Sequence, residues 1–268
     1  MKIYGKHRGF VAANDDPKKL RRLKVKAPSL FGDETLEWAW PCEPYGGLGE
    51  MAFMAVPEVG AGVWVEFEAG DPNRPLWVGC WSGAPGGQTE IPAEAKENYP
   101  YVKTLKTKSG AYCYIDDTPG KERIKVRSKS GHVLVMDDKP GVEKVTVQSK
   151  GGHSAELDDT AGSERIVIRS KQGLTVRMDD AARQVIVTDD VNSVTLYRDS
   201  GKISVESAAQ VTISAPSVVI AGGGHPVGLA DEILSAFNGH THMAPGGSTG
   251  LPMPKMTDAI GSAKTFTG

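Results

Sequence analysis

Aromatic side chains, cysteines and long apolar runs are all scarce in this chain of 268 residues. No run approaches the roughly 18 apolar residues that a membrane-spanning helix requires. The charged beginning, MKIYGKHRGFVAAND, lacks an apolar core segment and predicts no signal peptide. Cys42, Cys80 and Cys113 are an odd number without paired spacing, which predicts free thiols in a reducing cytosol. The net charge of −2 offers no basic footprint for nucleic acid, so no nucleic-acid partner is expected.

Glycine and proline are plentiful, with 32 and 17 residues, and this favours turn-rich β structure over helices. Residues 1–85 are typical of a small OB-fold barrel, because short segments rich in β-branched and aromatic residues are separated by Gly, Pro and Asp. In one segment Val63, Val65 and Phe67 occupy every second position, the pattern of a half-buried strand. The predicted strands are Gly9–Ala13, Leu20–Ala27, Leu36–Pro41, Gly62–Glu68 and Leu76–Trp81.

Residues 86–105 are interpreted as a linker, and residues 106–222 carry an internal repeat of 21 residues. Its units contain GAYCYIDD, GHVLVMDD, GHSAELDD and GLTVRMDD, so a glycine and an Asp-Asp pair recur at the same step. Each unit predicts two short strands, joined by an acidic or Pro-Gly turn, that place two apolar residues on one face. After residue 190 the apolar pairs follow more closely, at Val194/Leu196, Ile203/Val205, Val211/Ile213 and Val218/Ile220.

Burial predicts that the repeat region is shared by several chains. A strand with two inward apolar side chains has almost nothing to bury against within its own chain, and an isolated two-stranded ribbon is marginal. Three chains wound about one axis would bury every inward column and protect the sheet edges. We therefore expect an all-β homotrimer, with an OB-fold barrel followed by an intertwined trimeric β-helix or β-prism needle.

The last region, residues 223–268, predicts one short helix at Gly228–Phe237, with an apolar stripe that includes Leu234 and Phe237. A turn-rich segment follows, and it contains His240 and His242.

The run PEVGAGVWVEFEAGDPNRPLWVG, residues 57–79, resembles the OB-fold domain of phage baseplate assembly protein V and of related spikes in type VI secretion and extracellular contractile systems. The repeat resembles the needle of those spikes, and FNGHTHMAPGGSTGLP is similar to their apex region. The resemblance implies a structural central spike that pierces the target cell envelope. It further implies a position in the baseplate of a virion or injection particle assembled in the bacterial cytoplasm. The implied partners are the baseplate hub and tube-initiator proteins at the barrel, a possible tip protein at the apex, and the target's outer envelope.

His240 and His242 are the candidate metal ligands. In an extended segment residues i and i+2 point the same way, so three chains on an axis would bring six imidazoles together. The resemblance points to iron, one ion per trimer. The alternative is a pair of solvent-facing histidines in a polar turn.

No catalytic residue is predicted, and we expect the chain not to be an enzyme. GGSTG at residues 246–250 fits Gly-x-Ser-x-Gly, yet that motif works only on a sharp strand-to-helix turn, which this Gly/Pro-rich segment does not predict. The Asp-Asp pairs are interpreted as acidic turn residues that keep the needle soluble, in preference to calcium ligands. His132 and His153 are expected at the surface, and Cys113 as a small core residue.

The alternative function is a trimeric β-helical tailspike that binds or cleaves glycans. It would need aromatic-lined grooves and paired carboxylates on the needle. The repeat region contains only Tyr112, Tyr114 and Tyr197 and no tryptophan.

Overall fold

The computed structural model describes residues 1–216, 230–248 and 250–251 of the chain. It divides into two compact units, Met1–Glu206 and Ser207–Gly268. No helix among the described residues has the length and apolar character needed to cross a bilayer. The first unit contains a five-stranded sheet and an eleven-stranded sheet.

The five-stranded sheet forms an OB-like half-barrel at the N-terminus. Its strands are β1 (His7–Ala13), β2 (Lys24–Lys26), β3 (Trp40–Pro41), β4 (Gly62–Phe67) and β5 (Pro75–Cys80). They lie in the order β2-β1-β4-β5-β3, with β3 and β5 parallel and the other pairs antiparallel. A short helix α1 (Pro28–Phe31) follows β2. All five predicted strands are confirmed in position, although the second and third are much shorter than predicted.

The core of this half-barrel comes from the alternation that the sequence displays. Val63 and Val65 on β4 are fully buried, as are Val25 on β2 and Leu23 just before that strand. Gly9 on β1 is required by close packing, because a Cβ atom there would lie 2.7 Å from a methyl group of Val25.

The connection between the sheets is partly ordered by a short helix, α2 (Ala93–Lys96), which the sequence did not predict. Strand β6 (Val102–Lys106) follows and opens the second sheet within the stretch interpreted as linker.

The eleven-stranded sheet is an antiparallel meander in which each strand pairs with the next along the chain. After β6 its strands are β7 (Tyr112–Asp116), β8 (Arg123–Arg127), β9 (Val133–Asp137), β10 (Lys144–Gln148), β11 (Ser154–Asp158), β12 (Arg165–Arg169), β13 (Thr175–Asp179), β14 (Gln184–Thr188), β15 (Ser193–Tyr197) and β16 (Ile203–Glu206). The prediction of two short strands per 21-residue unit is confirmed. All of these ladders form within one chain.

One predicted strand of the shortened repeats is wrong. Residues 207–216 form no strand, although Val211 and Ile213 alternate with polar side chains, and both are exposed. A strand needs a neighbour to bond with, and none of the described segments lies beside this one. The pair Val218 and Ile220 lies outside the described residues.

The second unit contains helix α3 (Ala230–Gly239) and a hairpin of β17 (Met243–Ala244) and β18 (Gly247–Ser248). The helix was predicted at Gly228–Phe237, whose first two residues lie outside the described part of the chain. Its observed end at Gly239 lies two residues beyond the predicted end.

Candidate functional site

One face of the eleven-stranded sheet is apolar along its whole length. The register places one side chain from every strand in each of two columns. Apart from Lys103 at the first strand, every member is apolar. The first column runs Lys103, Ile115, Ile124, Met136, Val145, Leu157, Ile166, Met178, Val185, Leu196, Ile203, and the second runs Leu105, Cys113, Val126, Leu134, Val147, Ala155, Ile168, Val176, Val187, Val194, Val205. We call these two columns the apolar face.

Among the described residues of the chain, nothing covers most of the apolar face. Val147 is 50% exposed, Ile168 52% and Ile203 65%, although all three occupy the positions predicted to point inward. A contiguous apolar strip of this length is unusual on a soluble monomer and marks an association surface. The strands carry the inward pattern of a core that one chain does not complete.

The opposite face carries a ladder of alternating charge. Register pairs Asp116 with Arg123, Arg123 with Asp137, and so on through Lys144, Asp158, Arg165 and Asp179. Directly opposed charges of opposite sign stabilise a sheet, and a slip of one residue in register would separate these charge pairs. We call this column the charge ladder.

Two aspartates of the charge ladder are buried, which corrects their interpretation as solvated turn residues. Asp116 is 1% exposed and Asp158 is 3% exposed. The Thr160 hydroxyl and N–H both donate to the Asp158 carboxylate, and Arg165 and Lys144 lie 2.8 and 3.6 Å from it. These contacts lower the pKa of Asp158, with the Thr160 hydroxyl as the largest cause.

Asp116 is the last residue of β7, the position that corresponds to Asp158 on β11, and it has one additional contact. Desolvation raises its pKa, but hydrogen bonds from Thr118 and Asn98, together with nearby Arg123, outweigh it and leave the pKa lowered. The Asn98 amide donates to Asp116 Oδ2 at 2.9 Å, and the Glu94 carboxylate of α2 accepts from Lys106 at 2.7 Å. The segment before the sheet is therefore fastened onto its first strands.

His240 and His242 lie close together in the second unit, with ring centroids 5.1 Å apart. The His240 Nδ1–H donates to the Phe237 carbonyl at 2.6 Å, and this leaves Nε2 with its lone pair available as a ligand atom. Among the described residues of one chain, no three His, Cys, Asp or Glu side chains come together to hold a metal.

The other residues considered in the sequence as catalytic or metal-binding candidates have structural contacts or lie at the surface. Ser248 lies in the short strand β18, and its hydroxyl donates to the His242 carbonyl at 3.5 Å, so it is not on a strand-to-helix turn. His132 and His153 are exposed as expected, and each ring accepts the N–H of a lysine 18 residues later. All three cysteines are free. Cys113, expected in the core, is half-buried on the apolar face.

Sequence reasoning missed the charge ladder, although a signal was present. A cation recurs seven residues after the first aspartate of three pairs, at Arg123, Lys144 and Arg165. Asn98 carried no such signal, because it lies outside the repeat and meets Asp116 only through the fold of the connecting segment.

A family model described as the Type VI secretion system/phage-baseplate injector OB domain matches residues 7–81. The match covers the whole five-stranded half-barrel and includes the motif at residues 57–79. A search of the curated proteins finds no match to the chain. Residues 7–81 are therefore similar to the injector OB domain of phage baseplates and type VI secretion systems, and this similarity supports a structural role of the baseplate or spike type.

Proposed function

We propose that the chain is the central spike of a contractile injection machine, a homotrimer that pierces the target envelope mechanically. The observation that carries this proposal is the uncovered apolar face, which follows directly on an injector OB domain in the same chain. Three copies of the sheet supply the cover that one copy lacks.

Three copies suit the narrow sheet better than two. Each strand has only four or five residues, so the strip is roughly 16 Å wide at about 3.3 Å per residue. Two strips packed face to face would leave both sides of the sandwich open to water. Three strips around an axis enclose all six apolar columns in one core and direct the three charge ladders outward.

The proposed trimer would resist axial load. Peeling one sheet away would expose the apolar faces of the other two, so local opening of a single chain is as unfavourable as loss of the shared core. The chain's role in this scheme is mechanical and not enzymatic.

The barrel is the site for the baseplate hub and tube-initiator proteins. Its long loop between β3 and β4 presents large apolar side chains to solvent, with Leu48 74% and Met54 72% exposed, next to exposed Tyr45 and Phe53. Exposed aromatic and methionine side chains of this kind are typical of protein interfaces. The particle baseplate is the corresponding location, with the outer envelope of the target cell as the surface that is pierced. A separate tip protein would bind beyond the needle.

His240 and His242 are proposed to hold one iron ion per trimer. Three chains supply six imidazoles, and the hydrogen bond from His240 Nδ1 to the Phe237 carbonyl orients that ring for binding through Nε2. The ion would cross-link the three C-terminal regions. Each chain would contribute His240 and His242, whose ring centroids lie 5.1 Å apart, close enough for both rings to bind the same ion.

Native mass spectrometry of protein purified without chelator tests the proposal. We expect a species of about 86 kDa, three times the chain mass of 28.5 kDa. One additional transition-metal mass would support the histidine site as well. A trimer without the additional mass would retain the spike and reject the metal, and a monomer at micromolar concentration would reject the spike.

A further inference from the structure

A pocket on the half-barrel has no role in the proposed spike. It lies between the segment leading into β3 and the stretch from Glu68 to Leu76. The segment leading into β3 is joined to the segment that contains β2 through a bridge between Leu23 and Ala39. Both bridge residues are completely buried, so their neighbours Arg22, Lys24, Trp38 and Trp40 belong to the other, outward side of the pairing.

Cations and indole rings are interleaved on this outward side. The Arg22 guanidinium lies 5.5 Å from the ring centroids of both Trp38 and Trp40, and Lys24 Nζ lies 5.5 Å from that of Trp38. Arg22 is itself fixed by two hydrogen bonds to the buried Asp16 carboxylate, at 2.6 and 3.1 Å. The two tryptophans are therefore held in place before any ligand binds, which lowers the entropy lost on binding.

The pocket beside these rings has a volume of about 310 Å³. Trp38 and Trp40 line it together with three polar side chains, Glu68, Asn73 and Arg74. Trp40 is 49% exposed, whereas an indole without a ligand is ordinarily more covered than this in a small domain. Glu68 and Arg74 form an ion pair of 2.7 Å at the pocket, so planar donors and acceptors are both present.

This combination favours a sugar ring over a nucleic acid base. OB folds bind both oligonucleotides and oligosaccharides on the face formed by their second and third strands. Single-stranded nucleic acid requires excess positive charge beside its aromatic platforms. Here each cation is matched by a carboxylate, with Arg22 on Asp16, Lys24 on Glu37, and Arg74 on Glu68.

We propose that this pocket binds a neutral oligosaccharide, with one pyranose ring stacked on Trp40 and its hydroxyl groups bonded to Asn73, Glu68 and Arg74. A volume near 300 Å³ is at the lower end of ligand pockets and accommodates one ring at a time, with neighbouring sugars outside. The repeat region has no tryptophan, and all five tryptophans of the chain lie within residues 38–81. The proposed glycan site is therefore in the barrel.

The test is a glycan array of neutral bacterial surface and cell-wall oligosaccharides, probed with the full-length protein. The strongest soluble hit is then titrated against wild type and variants by isothermal calorimetry. Trp40→Ala should weaken binding by about tenfold or more, because the variant loses the aromatic ring on which the sugar stacks. A tenfold change in Kd corresponds to about 1.4 kcal/mol. Asn73→Ala should weaken it severalfold.

Trp64→Ala is the matched control, because Trp64 also contacts an arginine, at 5.8 Å from Arg8, yet does not line the pocket. It should retain wild-type affinity. Absence of any array signal would overturn the proposal, as would a glycan bound equally well by Trp40→Ala. Tight, salt-sensitive binding of a 20-nucleotide oligo(dT) at the same tryptophan would also overturn it, in favour of single-stranded nucleic acid. None of these outcomes depends on the oligomeric state.

Discussion

The Asp158 carboxylate lies directly opposite Arg165 on the neighbouring strand, with 2.8 Å between Oδ2 and Nη2. The carboxylate is nearly inaccessible to water, while the guanidinium is partly exposed. A buried acid that is bonded on one side by a threonine and on the other by two cations is a strong anchor for strand register, because a neutral amide in its place loses one acceptor oxygen and the charge that both cations pair with.

Asp158→Asn should therefore lower the thermal midpoint by several degrees, whereas Asp159→Asn should leave it within about one degree. The two aspartates are adjacent and the two substitutions change net charge equally, but Asp159 contacts the sheet through its backbone N–H, which the variant keeps. Differential scanning calorimetry measures both. Equal midpoints for the two variants would contradict the role assigned to the charge ladder.

Stability should fall in acid for the same reason. The folded-state pKa of Asp158 and that of Asp116 both lie below their ordinary values, so the unfolded chain binds protons first. The stabilisation from these groups is complete above about pH 4, the unfolded pKa, and is lost as pH falls through the lower folded values. Thermal melts between pH 7 and pH 2.5 should show this decline, and it should be shallower in Asp158→Asn. A parallel decline in both proteins would remove Asp158 as a source.

The apolar face predicts a pair of lysine variants with opposite results. Val147→Lys places a charge in the shared core of the trimer, at a cost of at least about 2 kcal/mol per chain, and should yield monomers or a much less stable trimer. Thr146→Lys adds the same side chain one residue earlier on the opposite face, beside Glu156, and should remain trimeric. Light scattering after size-exclusion chromatography gives the mass. A Val147→Lys trimer with wild-type stability would contradict the packing of three apolar faces.

The histidine pair predicts a change in metal content. His240→Ala combined with His242→Ala should reduce bound iron from one ion per trimer to none, because six imidazole ligands are lost together. The control is His132→Ala combined with His153→Ala, which removes as many histidines from the exposed turns of the sheet. Inductively coupled plasma mass spectrometry measures the metal. Equal metal content in the two double variants would show that other residues bind it.

The apolar residues predicted the strands of the repeat well, because both columns of the apolar face are apolar on every strand from β7 to β16, at positions such as Val145 and Val147. Features that depend on one strand meeting another were harder to predict. The burial of Asp158 follows from its register with Arg165, and the fixed position of Trp40 follows from Arg22 and Asp16, which are distant in sequence. Helix α2 was missed because its four residues are too few to show a periodicity, and because it forms where contact with β6 buries Ala95, which depends on the fold.

The meander has a consequence for how the chain folds. Since every strand of the long sheet bonds to the strand before it, closing each hairpin requires only a short loop, and the entropy lost per step stays small. Most β proteins fold slowly because their strands come from distant parts of the sequence. This sheet can instead form hairpin by hairpin from β6 onward as the chain is synthesised. In the proposed trimer the association of three such sheets would then be the slow step, and its rate would depend on protein concentration.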